Sequence, residues 1–326
     1  MNPALRLLCL STLLAILGFA GVQPLAVILM ERQGLGASMI GLLSALIFGG
    51  VLMLAPFQPT LVDRFGAMHT YQAGKVLATA GFVGFVGCAW AATPWTWAVF
   101  LLLLGMGGAL TWPLTDSLIS TEAPAEKKGA WVGMFQAGMG LAFAIGPFIS
   151  AALASWPTVV FLGAAAICFL SSLPLIGRDL PAQEDEDDDE GWGIWCNAGG
   201  LAVVAFLGGL FENGTHTGGT LMALTLGWSS AAAVALPGVI AAGAFAIQYP
   251  LGQVADQRGT RGILLACLIG LALSLAAIPL VGRWSPLLWV LGFVWGSAGG
   301  SLYTLAMTRS AQDFPTRKIA PVTTQC

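Results

Sequence analysis

The chain has 326 residues, 57% of them hydrophobic and only 9% charged, with a mean hydropathy of +0.82. A water-soluble globule needs about a quarter of its residues charged to solvate its surface, so this composition excludes one. The formal charge of −3 is set by one acidic run, Glu184–Glu190 (EDEDDDE), which holds seven of the 16 acidic residues; outside it 13 basic residues stand against nine acidic ones, and neither balance points to nucleic acid.

Apolar stretches follow one another along almost the whole chain, each long enough to cross a hydrocarbon layer of about 30 Å as a helix. Splitting them at polar breaks predicts ten spans, at 6–32, 39–61, 70–92, 95–119, 130–154, 157–177, 198–226, 230–254, 262–281 and 286–309. The first apolar run is too long for a cleavable signal and is read as span one. An even number of spans puts both ends on one side. The positive-inside rule makes that side cytoplasmic, with Arg6, Arg64, Lys75, Lys127, Lys128, Arg178, Arg258, Arg261, Arg309, Arg317 and Lys318 inside and only Arg32 and Arg283 outside. The six cysteines show no CxxC spacing and read as small buried hydrophobes, so no metal site is expected.

Between spans six and seven the stretch 178–193 carries the acidic run and reads as a self-repelling cytoplasmic linker. It divides an N-terminal six-helix bundle, residues 1–177, from a C-terminal bundle, residues 194–326, that holds spans seven to ten and the start of another. The halves repeat. LVDRFG (61–66) closes span two and VADQRG (254–259) closes span eight, with Asp63 and Asp256 193 residues apart, as are Gly66 and Gly259. The same offset sets Gly21 on Gly214 and Gln23 on His216. Parallel repeats of this kind build many secondary transporters, with substrate sites near the midplane.

These paired loops resemble the major facilitator superfamily, in particular its bacterial drug-efflux-like and YcaD-like branches, and the resemblance covers the whole chain. The family writes the loop between spans two and three as Gly-x-x-x-Asp-Arg-x-Gly-Arg-Arg. Here it reads Pro59-Thr-Leu-Val-Asp63-Arg64-Phe-Gly66-Ala-Met, and the second copy reads Gly252-Gln-Val-Ala-Asp256-Gln-Arg258-Gly259-Thr-Arg261. The resemblance implies an all-α polytopic membrane protein with two parallel six-helix repeats, a monomer in the bacterial inner membrane. It implies a transporter of a small molecule, in some members with protons, and neither an enzyme nor a cofactor protein. It also implies that Asp63 and Asp256 gate the cytoplasmic side by capping a helix N-terminus in the opposite half, an interaction worth about 0.3–1 kcal/mol when exposed. Asp256 is expected to use the start of span five near Gly129, and Asp63 the start of an eleventh span. A short solvated turn would use the same Asp and Arg residues without gating.

Two further stretches bear on direction and coupling. Exporters of the family often show Gly-x8-Gly-x3-Gly-Pro-x2-Gly-Gly in span five, here Gly133-x8-Ala142-x3-Gly146-Pro147-x2-Ser150-Ala151, with each missing glycine replaced by Ala or Ser. Proton-coupled exporters usually carry an arginine in mid-span four, but LLLLGMGGALTWPLTDS (101–117) has no basic residue and only Asp116 as a charge. Gln136 in span five is a nearby amide candidate for coupling.

Span seven holds GGLFENGTHTGG (208–219), which places Glu212, Asn213 and His216 near mid-membrane. A carboxylate there costs about 2.5–3.5 kcal/mol on insertion scales, so it should face the bundle interior or a wet cavity. Glu212 and His216 are four residues apart, on one helical face, and the surrounding glycines permit a kinked or partly unwound helix. Glu212 is expected to bind a proton or a cationic substrate group with His216 as its partner, while Gln23 faces the pathway from the other half. The plainer alternative is interhelical hydrogen bonding, worth about 0.6 kcal/mol per contact.

By the repeat, RKIAPVTTQC (317–326) aligns with KKGAWVGMFQ (127–136), where span five begins. The chain is therefore expected to stop two spans short of the family's twelve. The expected function is alternating-access export of a small organic molecule, coupled to protons. Facilitated uptake of a small metabolite and a transport-incompetent membrane scaffold stand beside it as alternatives. No Walker-type loop is present, which argues against an ATP-driven pump.

Overall fold

In hydrocarbon every backbone N–H and C=O must be satisfied within the segment, so long runs of Leu, Ala, Val and Ile are driven into helices. The computed structural model describes residues 3–90, 93–122, 128–178, 211, 214–258, 260–281 and 285–313, and the described residues contain helices and no strand. Span one is Pro3–Arg32. Span two is Ala37–Leu54, a 3-10 turn Ala55–Phe57 and the short helix Gln58–Phe65. Spans three to six are Ala67–Trp90, Pro94–Glu122, Lys128–Ala152 and Pro157–Leu170. Span seven is described as a π-helical turn Thr215–Gly219 followed by Thr220–Thr225, and spans eight to ten are Ser230–Arg258, Thr260–Val281 and Ser285–Asp313. Eight helices among the described residues are long and apolar enough to cross a membrane, and Pro286–Leu302 is a shorter apolar helix. Large apolar side chains face outward, with Leu52 69% and Leu280 85% exposed. Water would penalise such a surface, whereas lipid tails meet it at no cost.

The chain divides into two compact units, Met1–Glu184 with Ser229–Ala235, and Asp185–Trp228 with Leu236–Cys326. In the first unit, span one packs on spans five and six, span four on spans two and three, and span three on span six. Leu5 and Leu8 of span one, Leu114 and Leu118 of span four, and Phe135 and Met139 of span five form its apolar core. In the second unit spans nine and ten pack together.

The internal repeat extends to packing. A Cβ on Gly50 would run into the Leu102 carbonyl and one on Gly105 into the Ile47 carbonyl, so spans two and four cross backbone to backbone. In the second unit, a Cβ on Gly243 would meet the Phe293 carbonyl and one on Gly296 the Ile240 carbonyl. Ile47 and Gly50 lie 193 residues before Ile240 and Gly243, while Leu102 and Gly105 lie 191 before Phe293 and Gly296. The same glycine crossing is thus built twice, and the register shifts by two residues between the eighth and tenth spans. Close approach through small residues is how helices associate where lipid removes the hydrophobic drive.

Candidate transport site

Span seven departs from regular helix where its polar residues lie. The π-helical turn Thr215–Gly219 contains His216, which is buried at 3% exposure. Thr215 Oγ1 donates to the Phe211 carbonyl at 2.8 Å and Thr220 Oγ1 to the His216 carbonyl at 2.7 Å, so hydroxyls bracket the widened turn. Single π-turns insert one residue into a helix and are frequent at functional sites. Phe211 meets Trp295 of span ten edge to face, with ring centroids 6.2 Å apart. Glu212 and Asn213 lie outside the described residues.

In the first unit Gln23 is buried at 4% exposure beside Pro24, a proline inside the span-one helix. Asp116 and Gln136, from neighbouring spans four and five, come together: Gln136 Nε2 donates to Asp116 Oδ1 at 3.4 Å. Trp112, one turn before Asp116, packs against Phe143 at 6.2 Å, and Phe143 meets Phe19 of span one at 6.3 Å. The rings of Phe19, Trp112 and Phe143 thus join spans one, four and five, and Asp116 lies one turn after Trp112 on span four.

The span-five motif divides in two. Gly146 is clamped against span one, because a Cβ there would lie 2.6 Å from the Leu17 carbonyl oxygen and 2.9 Å from the Gly21 amide nitrogen. Pro147 follows inside the helix. Gly133 faces open space, so it is not a close-approach glycine, whereas Gly146 with its partner Gly21 is.

In the loop between spans two and three, Asp63 and Arg64 are exposed, and Arg64 lies over the Phe65 ring at 5.3 Å. Gly66 ends the short helix at φ 84°, ψ 154°, its N–H bonded to the Val62 carbonyl at 2.7 Å. Its own carbonyl accepts from Thr70 N–H at 3.1 Å and Thr70 Oγ1 at 3.0 Å, which starts span three. In the second copy Asp256 and Arg258 fall at the end of the helix Ser230–Arg258, and Arg261 is exposed in the first turn of span nine. Gly259 lies outside the described residues.

One basic residue is not where charge counting puts it. Lys75, expected among the cytoplasmic surface charges, is buried at 1% exposure inside Ala67–Trp90. Its position nine residues into that helix, four after Tyr71, was the available signal. Cys88, Cys168 and Cys267 are buried free thiols and Cys9 is half-buried.

Residues 8–324 match the Major Facilitator Superfamily, nearly the whole chain. The chain belongs to the Major Facilitator Superfamily. Its relatives include the uncharacterized MFS-type transporter YfkF of Bacillus subtilis, 26% identical over 93% of this chain and 79% of that protein. The uncharacterized MFS-type transporter YcaD of Salmonella paratyphi B is 23% identical over 94% of this chain and 79% of its own length. Among solved structures, the nucleoside transporter NupG superposes with a TM-score of 0.76 at 11% identity, covering 99% of this chain and 85% of that one. The xylose transporter XylE from E. coli does so with a TM-score of 0.76 at 13% identity, covering 99% and 89%. These likenesses show the fold, and the family makes the chain a multi-pass membrane transporter and not an enzyme.

For this MFS chain the Gly66 geometry gives a direct expectation. Its φ, ψ pair lies in a region essentially reserved for glycine, where another residue costs about 1–3 kcal/mol. Gly66→Ala should therefore lower the thermal midpoint of the detergent-solubilised chain. An unchanged midpoint would show that the loop relaxes at no cost and that glycine there is not conformationally required.

Proposed function

We propose that this transporter exports a small organic molecule by alternating access, driven by protons. The observation that carries the export reading is the Gly21–Gly146 crossing beside Pro147, since close approach and a bend at this place in span five are what the family's exporter motif supplies. Coupling is assigned to Glu212 with His216 in span seven, with Asn213 and Gln23 lining the pathway, and to the Asp116–Gln136 pair as a second carboxylate position. Asp63 and Arg64, with Asp256, Arg258 and Arg261, gate the cytoplasmic side. The two bundles, joined by the acidic linker, lie in the inner membrane as a monomer with both ends cytoplasmic. The charge count still supports this orientation with Lys75 set aside, at ten basic residues inside against two outside.

Reconstituting the full chain into liposomes with an imposed pH gradient tests this reading, with ethidium as the cationic probe. Accumulation of ethidium in acid-loaded vesicles, abolished by a protonophore, is the expected result. Equilibration that ignores the pH gradient would instead favour facilitated transport, the alternative supported by the absence of a basic residue across 101–117.

A further inference from the structure

A second polar site lies within the first unit, apart from the residues assigned above. Tyr71 and Lys75 are four residues apart in span three, so they share a helical face, and both are buried, at 0% and 1% exposure. Lys75 Nζ donates to the Ser11 carbonyl of span one at 2.9 Å and to Ser171 Oγ, just beyond the span-six helix, at 3.3 Å. The Ser11 and Ser171 hydroxyls are themselves 3.1 Å apart. Tyr71 Oη lies 2.9 Å from Thr12 Oγ1, which lies 2.9 Å from Thr115 Oγ1 of span four. Span one and the end of span six supply the amine's two acceptors, and span four joins the neighbouring hydroxyl chain through Thr115.

No carboxylate among the described residues pairs with this amine. On its own span it faces the Tyr71 ring, 5.8 Å from Nζ, and on span six Cys168, whose Sγ lies 3.9 Å from the Lys75 carbonyl. Span one contributes Cys9, half-buried against the apolar core that holds Tyr71. Span four contributes Asp116, whose Oδ1 accepts from Gln136 Nε2. The short helix Gln58–Phe65 carries Asp63 and Arg64, both exposed. The hydrogen-bond inventory is specific. Two acceptors match the two N–H groups of a neutral amine, whereas an ammonium has a third. That third N–H has only the Tyr71 ring, near the outer limit of about 6 Å for a cation–π contact.

The repeat shows that packing alone does not call for these side chains. The residues 193 positions on from Tyr71 and Lys75 are Leu264 and Leu268, which pack beside buried Cys267 and Leu302 in the second unit. With the register of spans four and ten, Thr115 corresponds to Ala306, 191 positions on. The second unit thus makes the same fold with leucine and alanine. An ionisable group kept in a membrane interior where an apolar one fits is expensive, and the expense is usually tied to function.

We infer that Lys75 is a proton-binding site of this transporter, distinct from Glu212 and Asp116. The proton adds to the Nζ lone pair and leaves it for water as spans one and six, which supply its two acceptors, shift against span three during the cycle. This rests on the proton-driven reading above, and its test is separable from that reading.

The chain contains four lysines, Lys75, Lys127, Lys128 and Lys318, so full-length protein labelled with ¹⁵N at lysine Nζ in detergent gives a countable spectrum without any substrate. One Nζ resonance should pass from the ammonium to the amine position at a pH where the other three are still ammonium, and that resonance should be missing in Lys75→Arg. The other three lysine signals serve as the internal reference. Four unchanged ammonium signals would overturn the inference. In vesicles, Lys75→Met should cut pH-driven ethidium accumulation by about tenfold, the scale of typical coupling between two sites, with downhill ethidium equilibration retained. Wild-type accumulation in both Lys75→Met and Lys75→Arg would remove Lys75 from the cycle. Absence of ethidium flux in the wild type would count against the export reading, while the resonance would still decide whether Lys75 binds a proton.

Discussion

Gly146→Val is expected to prevent the first unit from folding to a monodisperse species, while Gly133→Val in the same span leaves it intact. A Cβ alone at Gly146 would sit 2.6 Å from the Leu17 carbonyl oxygen, 2.9 Å from the Gly21 nitrogen and 3.1 Å from Ala20 Cβ, and the first two are backbone atoms that no rotamer change can move. Relief requires span one to back away from span five, which breaks the van der Waals contact that holds helices together in lipid. Overpacking a well-filled core costs about 1–3 kcal/mol even where side chains yield, and here the yielding element is a whole helix. Against a total stability of about 5–15 kcal/mol, the thermal midpoint should fall steeply or the protein should elute as aggregate. At Gly133 an added Cβ meets nothing within 4 Å. Equal midpoints for the two variants would show that span five is not clamped at Gly146.

The contrast between these two glycines marks where sequence reading stops. A glycine spacing says that close approach is allowed, and it does not say which glycine faces a neighbour. The spans themselves were legible because lipid imposes one rule on every residue of a segment: nine of the ten expected runs correspond to helices, as with 39–61 against Ala37–Phe65, and of the seventh, 198–226, the described part from 214 to 225 is helical. Gly66 was legible because a helix that turns sharply into the next leaves only glycine able to take the positive φ. Asp116 and Gln136 were each identified but not as a pair, since their contact depends on the register of two antiparallel helices, which neither sequence fixes alone. Lys75 was misplaced for an instructive reason. Counting basic residues near span ends treats each as interfacial, and only the Ser11 carbonyl and Ser171 hydroxyl, far away in sequence, reveal that this one is held inside.

The second large expected effect concerns the two membrane carboxylates. Glu212→Gln should abolish pH-driven ethidium accumulation while leaving the chain folded, and Asp116→Asn should weaken it only in part. The repeat supplies the reasoning. Glu212 corresponds, 193 positions back, to Phe19, whose ring packs on Phe143, so one half of the fold fills with an aromatic ring the position where the other carries an acid. Asp116 corresponds, 191 positions on, to Met307. Neither acid is therefore needed by the helix that carries it, and Glu212, expected near mid-membrane, costs about 2.5–3.5 kcal/mol to insert there. Their settings differ. Asp116 already accepts a hydrogen bond from Gln136, and an asparagine at 116 keeps an oxygen for that donor, so local structure survives. Glu212 stands in sequence three residues before the π-helical turn that holds His216, and glutamine there keeps the size but cannot carry the proton. Full pH-driven accumulation by Glu212→Gln would sink its assignment. If Glu212→Gln were silent while Asp116→Asn was not, the coupling proton would belong to the first unit, which holds Asp116 and the buried Lys75.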